Sequence, residues 1–498
     1  MYTRGSGVLM HITSLPSIHG IGDLGPQAYR FADYLSDVKQ KYWQMLPLNA
    51  GNPTNGESPY FSSSAFAGNP LLISLELLAS EGLLDDKEIS PIKCDDESKI
   101  SFEEVRSFKF PLLDKAYLNW QESKKQKAEF YSFCNDNSHW LDNYALFIII
   151  GEKMGTYTWH KWPRPLRDRE SKALKEIADE HCQQIEKVKF FQFLFFSQLK
   201  ALKKYCHNLK ISIIGDLPIY VSYESTDVWE NKELFKLNED GIPVAISGVP
   251  PDYFSETGQL WGNPVYNWDN LSASRYDWWI RRMEMLFLQF DIVRIDHFRG
   301  LVQYWEVPAG EETAINGKWV DVPTSDFLDT MKSHFKTFPV IAEDLGIITP
   351  DVVEVMNRYG FPGMKILQFA FSEDTSDNPY LPHNYPRNSL VYTGTHDNNT
   401  TVGWIKNDLD KKGMKRVCQY IGFTPQEDDL PEHIIRLAQS SVADIAVVPV
   451  QDLLKLDEKA RMNHPAYKFG NWRWRATREQ IDSLPKDKFA RMVSTYGR

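Results

Sequence analysis

Short apolar runs recur along the chain, each followed by a polar or glycine-rich turn and then by a helical pattern. Runs of this length, rich in β-branched residues, predict buried strands of parallel βα units. Eight stretches fit: 7–12, 43–48, 211–217, 291–296, 339–344, 364–369, 390–395 and 445–450. Eight such units are the number of a (β/α)8 barrel, whose catalytic groups lie at the C-terminal ends of the strands. The pattern therefore predicts an α/β fold, a TIM barrel.

The spacing of these strands is uneven and indicates two insertions. Between strands 2 and 3 the pattern is helical, with apolar residues at Leu141, Tyr144, Ala145, Ile148 and Ile149 in the spacing of a buried helix face. We predict a mainly α-helical insertion subdomain over residues 72–200.

The second gap lies between strands 3 and 4, at residues 218–290, and is rich in Gly, Pro, Asn and aromatic residues. Long loops inside a compact domain are usually functional. We therefore predict a loop-rich insertion over 218–290 that contains an active-site lid at about 248–268. The barrel itself then takes residues 1–71 and 201–498.

Composition narrows the function classes. The 498 residues carry 56 Lys and Arg against 67 Asp and Glu, a formal net charge of −11. An acidic chain is a poor partner for nucleic acid or an anionic membrane, both of which need a basic face. No apolar run reaches the roughly 18 residues of a membrane span, and the first residues, MYTRG, lack the apolar segment of a secretory signal.

The five cysteines are widely spaced and form no CxxC pair. This pattern favours free thiols in a reducing cytoplasm and supports neither a zinc site nor a disulfide framework. Aromatic residues make up 13% of the chain. They could be core, or flat platforms for ring-shaped ligands.

Four carboxylates end apolar strand patterns, where a charge is costly unless it is paired or used. They are Asp216, Asp296, Glu343 and Asp397. Each alone could be a structural cap or a salt-bridge partner. Together at one end of a barrel, they suit a retaining glycosidase, which needs one carboxylate as nucleophile and another as acid and then base.

Neighbouring residues fit this interpretation. Arg294 lies two positions before Asp296, so both side chains point to the same face of a strand, and the Arg favours the ionised carboxylate. The pair could also be only a buried salt bridge. His396 and His297, each beside an acidic residue, could bind sugar hydroxyls or be satisfied loop histidines.

These residues and their surroundings resemble a known family, the amylomaltases, which are 4-α-glucanotransferases of glycoside hydrolase family 77 in the α-amylase clan. Seven stretches carry the resemblance in order along nearly the whole chain: SPYFSSSAFAGNP (58–70), GDLPIYV (215–221), GVPPDYFSETGQLWGNPVYNW (248–268), VRIDHFRG (293–300), IAEDLG (341–346), YTGTHDNNT (392–400) and GNWRWR (470–475). One departure is Ala466, where the family commonly has glycine, so the predicted site does not include the segment 463–466.

The resemblance implies a (β/α)8 barrel that acts on α-1,4-glucans by a double displacement with retention. Asp296 would be the nucleophile, Glu343 the general acid and base, and Asp397 the residue that holds the hydroxyls of the distorted sugar. Asp216, Arg294, His396 and Tyr60 would line the subsite of the reacting glucose. Gln259 and Trp261, in the mobile loop of the family, would contact sugar on the acceptor side.

Transfer rather than hydrolysis requires that the site exclude water and orient a sugar hydroxyl. The lid aromatics could serve this purpose or simply pack the loop onto the barrel: Tyr253, Phe254, Trp261, Tyr266 and Trp268. Within the helical insertion, Tyr117, Trp159 and Trp162 could form a secondary glucan site, although core packing is the simpler role.

The sequence therefore predicts a cytoplasmic 4-α-glucanotransferase that moves segments between malto-oligosaccharides and releases glucose as a by-product. Carboxylate chemistry of this kind needs no metal and no organic cofactor. Two alternatives stay open, an α-glucan hydrolase of the same clan and a non-catalytic glucan-binding protein. Neither the oligomeric state nor the preferred chain length follows from the sequence.

Overall fold

The fold is a barrel of parallel strands, seen in a computed structural model that describes residues 2–51, 53–92, 95–123, 126–251, 255–373, 375–465 and 467–498. The strands are β1 Gly5–Leu9, β2 Tyr42–Gln44, β3 Ser212–Leu217, β4 Ala245–Val249, β5 Gln259–Pro264, β6 Ile292–Ile295, β7 Gln303–Pro308, β8 Lys318–Asp321, β9 Val340–Ala342, β10 Gly363–Ile366, β11 Ser389–Tyr392 and β12 Ile445–Pro449.

Eight of these strands form one parallel sheet in the order β10-β11-β12-β1-β2-β3-β6-β9. Its two ends meet where the Ala342 N–H donates to the Pro362 carbonyl at 3.0 Å. Each strand falls within or beside one of the eight predicted runs, and the predicted TIM-barrel fold class is confirmed. The runs overshoot their strands, since Ile12–Ser14 and Leu367–Phe369 already form 3₁₀ turns.

The helices alternate with the strands or fill the gap between β2 and β3. They are α1 Pro26–Asp37, α2 Leu75–Ser80, α3 Phe102–Glu122, α4 Lys127–Asp136, α5 Ser138–Met154, α6 Arg164–Arg167, α7 Ser171–Glu180, α8 Cys182–Asn208, α9 Thr226–Glu230, α10 Trp268–Ala273, α11 Asp277–Gln289, α12 Thr324–His334, α13 Pro350–Tyr359, α14 Thr401–Gly403, α15 Lys411–Ile421, α16 Leu430–Ser440, α17 Val450–Leu453, α18 Arg478–Asp482 and α19 Asp487–Thr495.

A second sheet was not foreseen from the sequence. Strands β5, β4, β7 and β8 form an antiparallel sheet in that order, so part of the loop-rich insertion pairs with the chain after β6. These strands are short and half exposed, and they carry several glycines and prolines. A sequence of this kind predicts loops rather than strands, because one face of the antiparallel sheet has no continuous apolar run.

Helix α8 fixes the chain that leaves β2. The buried side chain of Gln192 accepts from the Gly68 N–H at 2.8 Å and donates to the Gly68 carbonyl at 3.0 Å. Gln198 binds the N–H and carbonyl of Ser74 in the same way. Because each amide satisfies both backbone groups of one residue, this segment is held against α8.

The insertion between β2 and β3 has an aromatic core. Trp120 packs its ring against Phe130 and Phe190 with centroids 4.7 Å apart in both cases. Three other aromatic residues are buried as well, as expected for core packing: Tyr117, Trp159 and Trp162. The division of the chain into a barrel and a subdomain at residues 72–200 stays a prediction, and α8 continues the helical segment to Asn208.

Some residues named in the sequence predictions lie outside the part of the chain that the structure describes. They are Tyr253, Phe254, Cys94 and Ala466. The cysteines that the structure describes are free thiols: Cys134, Cys182, Cys206 and Cys418. Within the described ranges, no helix combines the length and the apolarity needed to cross a membrane.

Candidate active site

Three of the four predicted carboxylates lie where three adjacent barrel strands end. In the register of β3 and β6, Asp216 lies opposite Arg294, and in that of β6 and β9, Ile295 lies opposite Ala342. Asp296 and Glu343 each follow directly. Their backbones stay in the ladder, since the Asp296 N–H donates to the Leu217 carbonyl and the Glu343 N–H to the Ile295 carbonyl. Neighbouring strands therefore place both carboxylates side by side on the C-terminal rim.

A buried guanidinium ties two of these carboxylates together. Arg294 donates from Nη1 to both oxygens of Asp216 at 2.7 Å and from Nη2 to Asp296 Oδ1 at 2.8 Å. Burial lowers the pKa of Arg294, but the two carboxylates outweigh it and hold the pKa well above its usual value. Asp216 is completely buried, whereas the Asp296 side chain is 31% exposed and faces the cleft.

Tyr60 connects this network to the segment that follows β11. Its hydroxyl donates to Asp216 Oδ2 at 2.8 Å and lies 2.8 Å from His396 Nε2. The rings of Tyr60 and His396 are stacked with centroids 5.5 Å apart. The segment that carries Tyr60 is anchored by a buried hydrogen bond, because the Ala65 N–H donates to the buried carboxylate of Asp227 at 2.8 Å.

Asp397 follows β11 and is oriented by three groups. His396 Nε2 lies 3.3 Å from Asp397 Oδ2. Asn463 donates from Nδ2 to Asp397 Oδ1 at 2.6 Å, and Arg461 donates from Nη2 to the Asp397 carbonyl at 2.6 Å. The sequence analysis left the segment 463–466 out of the site, whereas Asn463 holds one of its carboxylates.

Glu343 is held by backbone amides rather than by a side chain. Its Oε2 accepts from the His297 N–H and its Oε1 from the Leu345 N–H, both at 2.8 Å. Burial, reinforced by the charge of Asp296, raises the pKa of Glu343 to about 8 despite the nearby Arg294 and these two donors. A carboxyl of this kind is protonated at neutral pH and can donate that proton.

His297 adopts a left-handed backbone conformation, with φ 53° and ψ 51°. This geometry is costly for a residue with a side chain, and such strain concentrates at functional sites. It turns the His297 N–H toward Glu343 and leaves the ring, whose pKa burial lowers to about 4, beside the lid.

The segment predicted to be a lid contacts the site through Trp261. The Trp261 indole packs edge-on against the His297 ring with centroids 4.8 Å apart, and its Nε1 donates to Gln259 Oε1 at 3.3 Å. Both residues belong to β5 and line the cleft. Tyr266 and Trp268 instead are buried, so they pack this region onto the barrel.

One cleft of about 760 Å³ joins these groups. All the predicted site residues line it except Asp216, which lies beneath Tyr60 and Arg294. Further lining residues were given no role from the sequence, among them Arg299, Trp319 and Trp472. Arg299 and Trp472 had a sequence signal, because they lie in the VRIDHFRG and GNWRWR stretches. The ring of Trp472 packs against Tyr60 and His396.

The arrangement offers a buried proton donor, Glu343, beside a cleft-facing carboxylate, Asp296, that is paired with a guanidinium. Such a pair can protonate a leaving oxygen and attack the carbon that it leaves. Within the described part of the chain, no group of three or more His, Cys, Asp or Glu side chains is placed to hold a metal ion.

Comparison with known proteins places these features in context. A family model for 4-alpha-glucanotransferase, glycoside hydrolase family 77, matches residues 10–480. The chain is 43% identical to the 4-alpha-glucanotransferase of Aquifex aeolicus over 99% of both chains, and 45% identical to that of Thermus thermophilus over 95% of this chain and 94% of the relative. The structure matches an amylomaltase from Streptococcus agalactiae in complex with acarbose with a TM-score of 0.96 and 37% identity, over 99% of each chain.

Proposed function

The chain belongs to the 4-alpha-glucanotransferases of glycoside hydrolase family 77, and we propose that it transfers α-1,4-glucan segments between malto-oligosaccharides by a retaining double displacement at the cleft described above. The observation that carries the proposal is the pairing of Asp296 with Glu343 on adjacent strand ends. Asp296 faces the cleft under Arg294, and burial keeps Glu343 protonated.

In the first half of the reaction, an Asp296 oxygen attacks the anomeric carbon of the bound glucan. The glycosidic bond breaks, and the leaving oxygen takes the proton of Glu343, which ends ionised. Arg294 supports this step because its Nη2 donates to one oxygen of Asp296 and so fixes the position of the nucleophile. The product is a glucosyl ester on Asp296 with the opposite anomeric configuration.

The second half needs Glu343 as a base. Once Asp296 is esterified its negative charge is gone, and with it one of the contributions that raise the pKa of Glu343. The carboxylate is then stable in its ionised form. It accepts the proton of an incoming sugar 4-hydroxyl, whose oxygen displaces Asp296 and restores the original configuration.

Asp397 and His396 hold the reacting glucose in this account. Asn463 and Arg461 fix Asp397 from one side, so its free oxygen edge and His396 can bind the hydroxyls of a distorted sugar ring. Bonds of this kind that strengthen in the transition state add several kcal/mol in glycosidases. Tyr60 positions His396 and closes the bottom of the subsite.

Trp261 and Gln259 form the acceptor side. Trp261 packs on His297, whose N–H binds Glu343, so a sugar against Trp261 lies next to the acid and base. An apolar indole at this place suits the face of a sugar ring and excludes water from the ester. Exclusion of water directs the ester toward transfer.

The substrates follow from the same chemistry. We assign malto-oligosaccharides and longer α-1,4-glucans as donors and acceptors, with glucose released as a by-product, in glycogen and maltodextrin metabolism. The free thiols of Cys134, Cys182, Cys206 and Cys418 support a location in the cytoplasm. Acarbose, the ligand of the Streptococcus agalactiae structure, is the natural competitive probe for this cleft.

Incubation with maltotriose tests the proposal. Transfer yields glucose and a ladder of longer oligosaccharides while the number of reducing ends stays constant. A rise in reducing ends without longer products would instead indicate a hydrolase, and binding of maltotriose without any product would indicate a glucan-binding protein. Glu343→Gln is the inactive control, and Glu354→Gln, on the exposed face of α13, is the matched active one.

A further inference from the structure

A second, smaller cavity shares His396 with the cleft. It measures about 20 Å³ and is walled by the chain that follows β1, β11 and β12. A polar cavity needs roughly 10–15 Å³ to hold a water molecule, so this one has room for one. The residues that supply its polar lining include His11, His396 and Asn399.

Each of these three residues has a buried polar atom without a hydrogen-bond partner in the described part of the chain. The atoms are His11 Nδ1, His396 Nδ1 and Asn399 Oδ1. A buried polar atom without a partner is destabilising, because it has lost its hydrogen bonds to water. Three such atoms on residues around one cavity point to a shared partner rather than to three separate penalties.

The hydrogen bonds of Tyr60 fix what His396 requires from that partner. The single hydroxyl proton of Tyr60 goes to Asp216, so in the contact with His396 the tyrosine oxygen accepts and Nε2 donates. In a neutral imidazole with its proton on Nε2, the Nδ1 atom is an acceptor. It therefore needs a donor from the cavity side, and no protein group among the described residues donates to it.

His11 can complete the arrangement. Burial, together with the nearby His396, lowers the pKa of His11 to about 3, so its ring is neutral. With its proton on Nδ1, His11 has a buried donor available to a molecule in the cavity that it lines.

We propose that His11 is a positioning residue for the transfer reaction: together with Asn399 it holds one water molecule that donates to His396 Nδ1 and keeps His396 in its Nε2–H form. The water accepts from His11 Nδ1 and donates to His396 Nδ1 and Asn399 Oδ1. These three bonds are the usual number for a buried water. The fixed tautomer directs the single Nε2–H of His396 to the Tyr60 oxygen, beside Asp397 and the subsite of the reacting sugar.

This inference rests on the proposed role of His396, so its test includes readouts that do not depend on turnover. The first is a high-resolution crystal structure of the unmodified enzyme, in which we expect a water within hydrogen-bond distance of all three atoms. The second is the ¹⁵N NMR spectrum of the histidine rings, which reports the tautomer of His396 directly. No ordered water in the cavity would overturn the proposal.

Three variants separate positioning from packing. His11→Phe removes the polar atoms, His11→Asn keeps a polar atom close to the Nδ1 position, and Met462→Leu changes the apolar lining of the same cavity. We expect His11→Phe to lose the pure Nε2–H signature of His396 and to lower kcat/KM for maltotriose by about 10- to 100-fold. His11→Asn and Met462→Leu should keep the tautomer and stay within about threefold.

Two results would contradict the positioning role. One is a His11→Phe enzyme with an unchanged His396 tautomer. The other is a loss of activity in His11→Asn and Met462→Leu as large as that in His11→Phe, which would show that the cavity acts through packing alone. If His11→Phe does not fold, the tautomer in His11→Asn and the crystal structure of the unmodified enzyme still decide.

Discussion

Arg294 donates from one nitrogen, Nη1, to both carboxylate oxygens of Asp216 at 2.7 Å, and both side chains are almost wholly buried. The completely buried carboxylate has no catalytic contact of its own in the cleft. It anchors the guanidinium so that the second nitrogen, Nη2, is free to hold Asp296. Lysine could not replace this geometry, because an ammonium lacks the planar fork.

The first prediction concerns stability. Arg294→Met leaves Asp216 as a buried unpaired charge, and we expect a loss of about 3–5 kcal/mol in unfolding free energy, measured by urea denaturation. The control is Arg30→Met, which breaks the ion pair with Asp482 where both side chains are 45–46% exposed. That pair should contribute at most about 1 kcal/mol. Equal losses in the two variants would refute the anchoring role.

The second prediction is a pH dependence set by Glu343. Because the acid form is required and the pKa is raised to about 8, the transfer rate should fall as the pH rises through about 8. Glu343→Gln should abolish turnover on oligosaccharides at every pH. A pH profile already falling near the ordinary value of 4.5 would contradict the assignment.

The same group affects stability in a defined direction. Between pH 4.5 and about 8 the folded protein keeps the Glu343 proton that the unfolded chain has lost. The folded state therefore binds more protons than the unfolded state does. The contribution of Glu343 to the unfolding free energy falls as the pH rises through this window and is constant above it. Glu343→Gln lacks this titration, so its unfolding free energy relative to the parent should rise from pH 4.5 to 8.

The third prediction concerns the choice between transfer and hydrolysis. Trp261→Ala opens the cleft beside His297 and Glu343, so water should reach the glucosyl ester. We expect the ratio of longer oligosaccharides to new reducing ends to drop several-fold. Phe423→Ala, at an exposed aromatic outside the cleft lining, is the control and should not change the ratio. An unchanged ratio in Trp261→Ala would exclude the indole as the barrier to water.

The fourth prediction tests a residue that the sequence analysis left out. Asn463→Ala removes the 2.6 Å bond to Asp397 Oδ1, and we expect kcat to fall about 10- to 100-fold while the fold is retained. Asn407→Ala, which removes an exposed amide contact with Glu458, should leave kcat unchanged. Similar kcat values for the two variants would show that Asn463 does not orient the carboxylate.

The sequence predicted the barrel well because its strands are buried on both faces and read as continuous apolar runs. The strand-end carboxylates followed from the same pattern, since a charge at the end of a buried strand is conspicuous. The antiparallel sheet of β4, β5, β7 and β8 was missed because its strands alternate weakly and pair across the chain segment 250–302.

Other parts of the site depend on contacts that no local pattern reveals. Asn463 meets Asp397 across 66 positions of sequence, and Tyr60 meets Asp216 across 156. The contribution of His297 to the site follows only from its backbone conformation, because nothing in the residue type predicts a left-handed conformation. Packing between elements creates these contacts, so they become visible only when the strands are assembled.

The most direct test of the central claim is the identity of the residue that carries the glucosyl ester. An activated donor such as α-maltosyl fluoride needs no general acid for its departure, so Glu343→Gln should form the ester and fail to release it. Peptide mapping by mass spectrometry should then find the maltosyl group on Asp296, and Asp296→Asn in the same background should carry none. A maltosyl group on another residue, or an unlabelled Glu343→Gln enzyme that consumes the donor, would contradict the account.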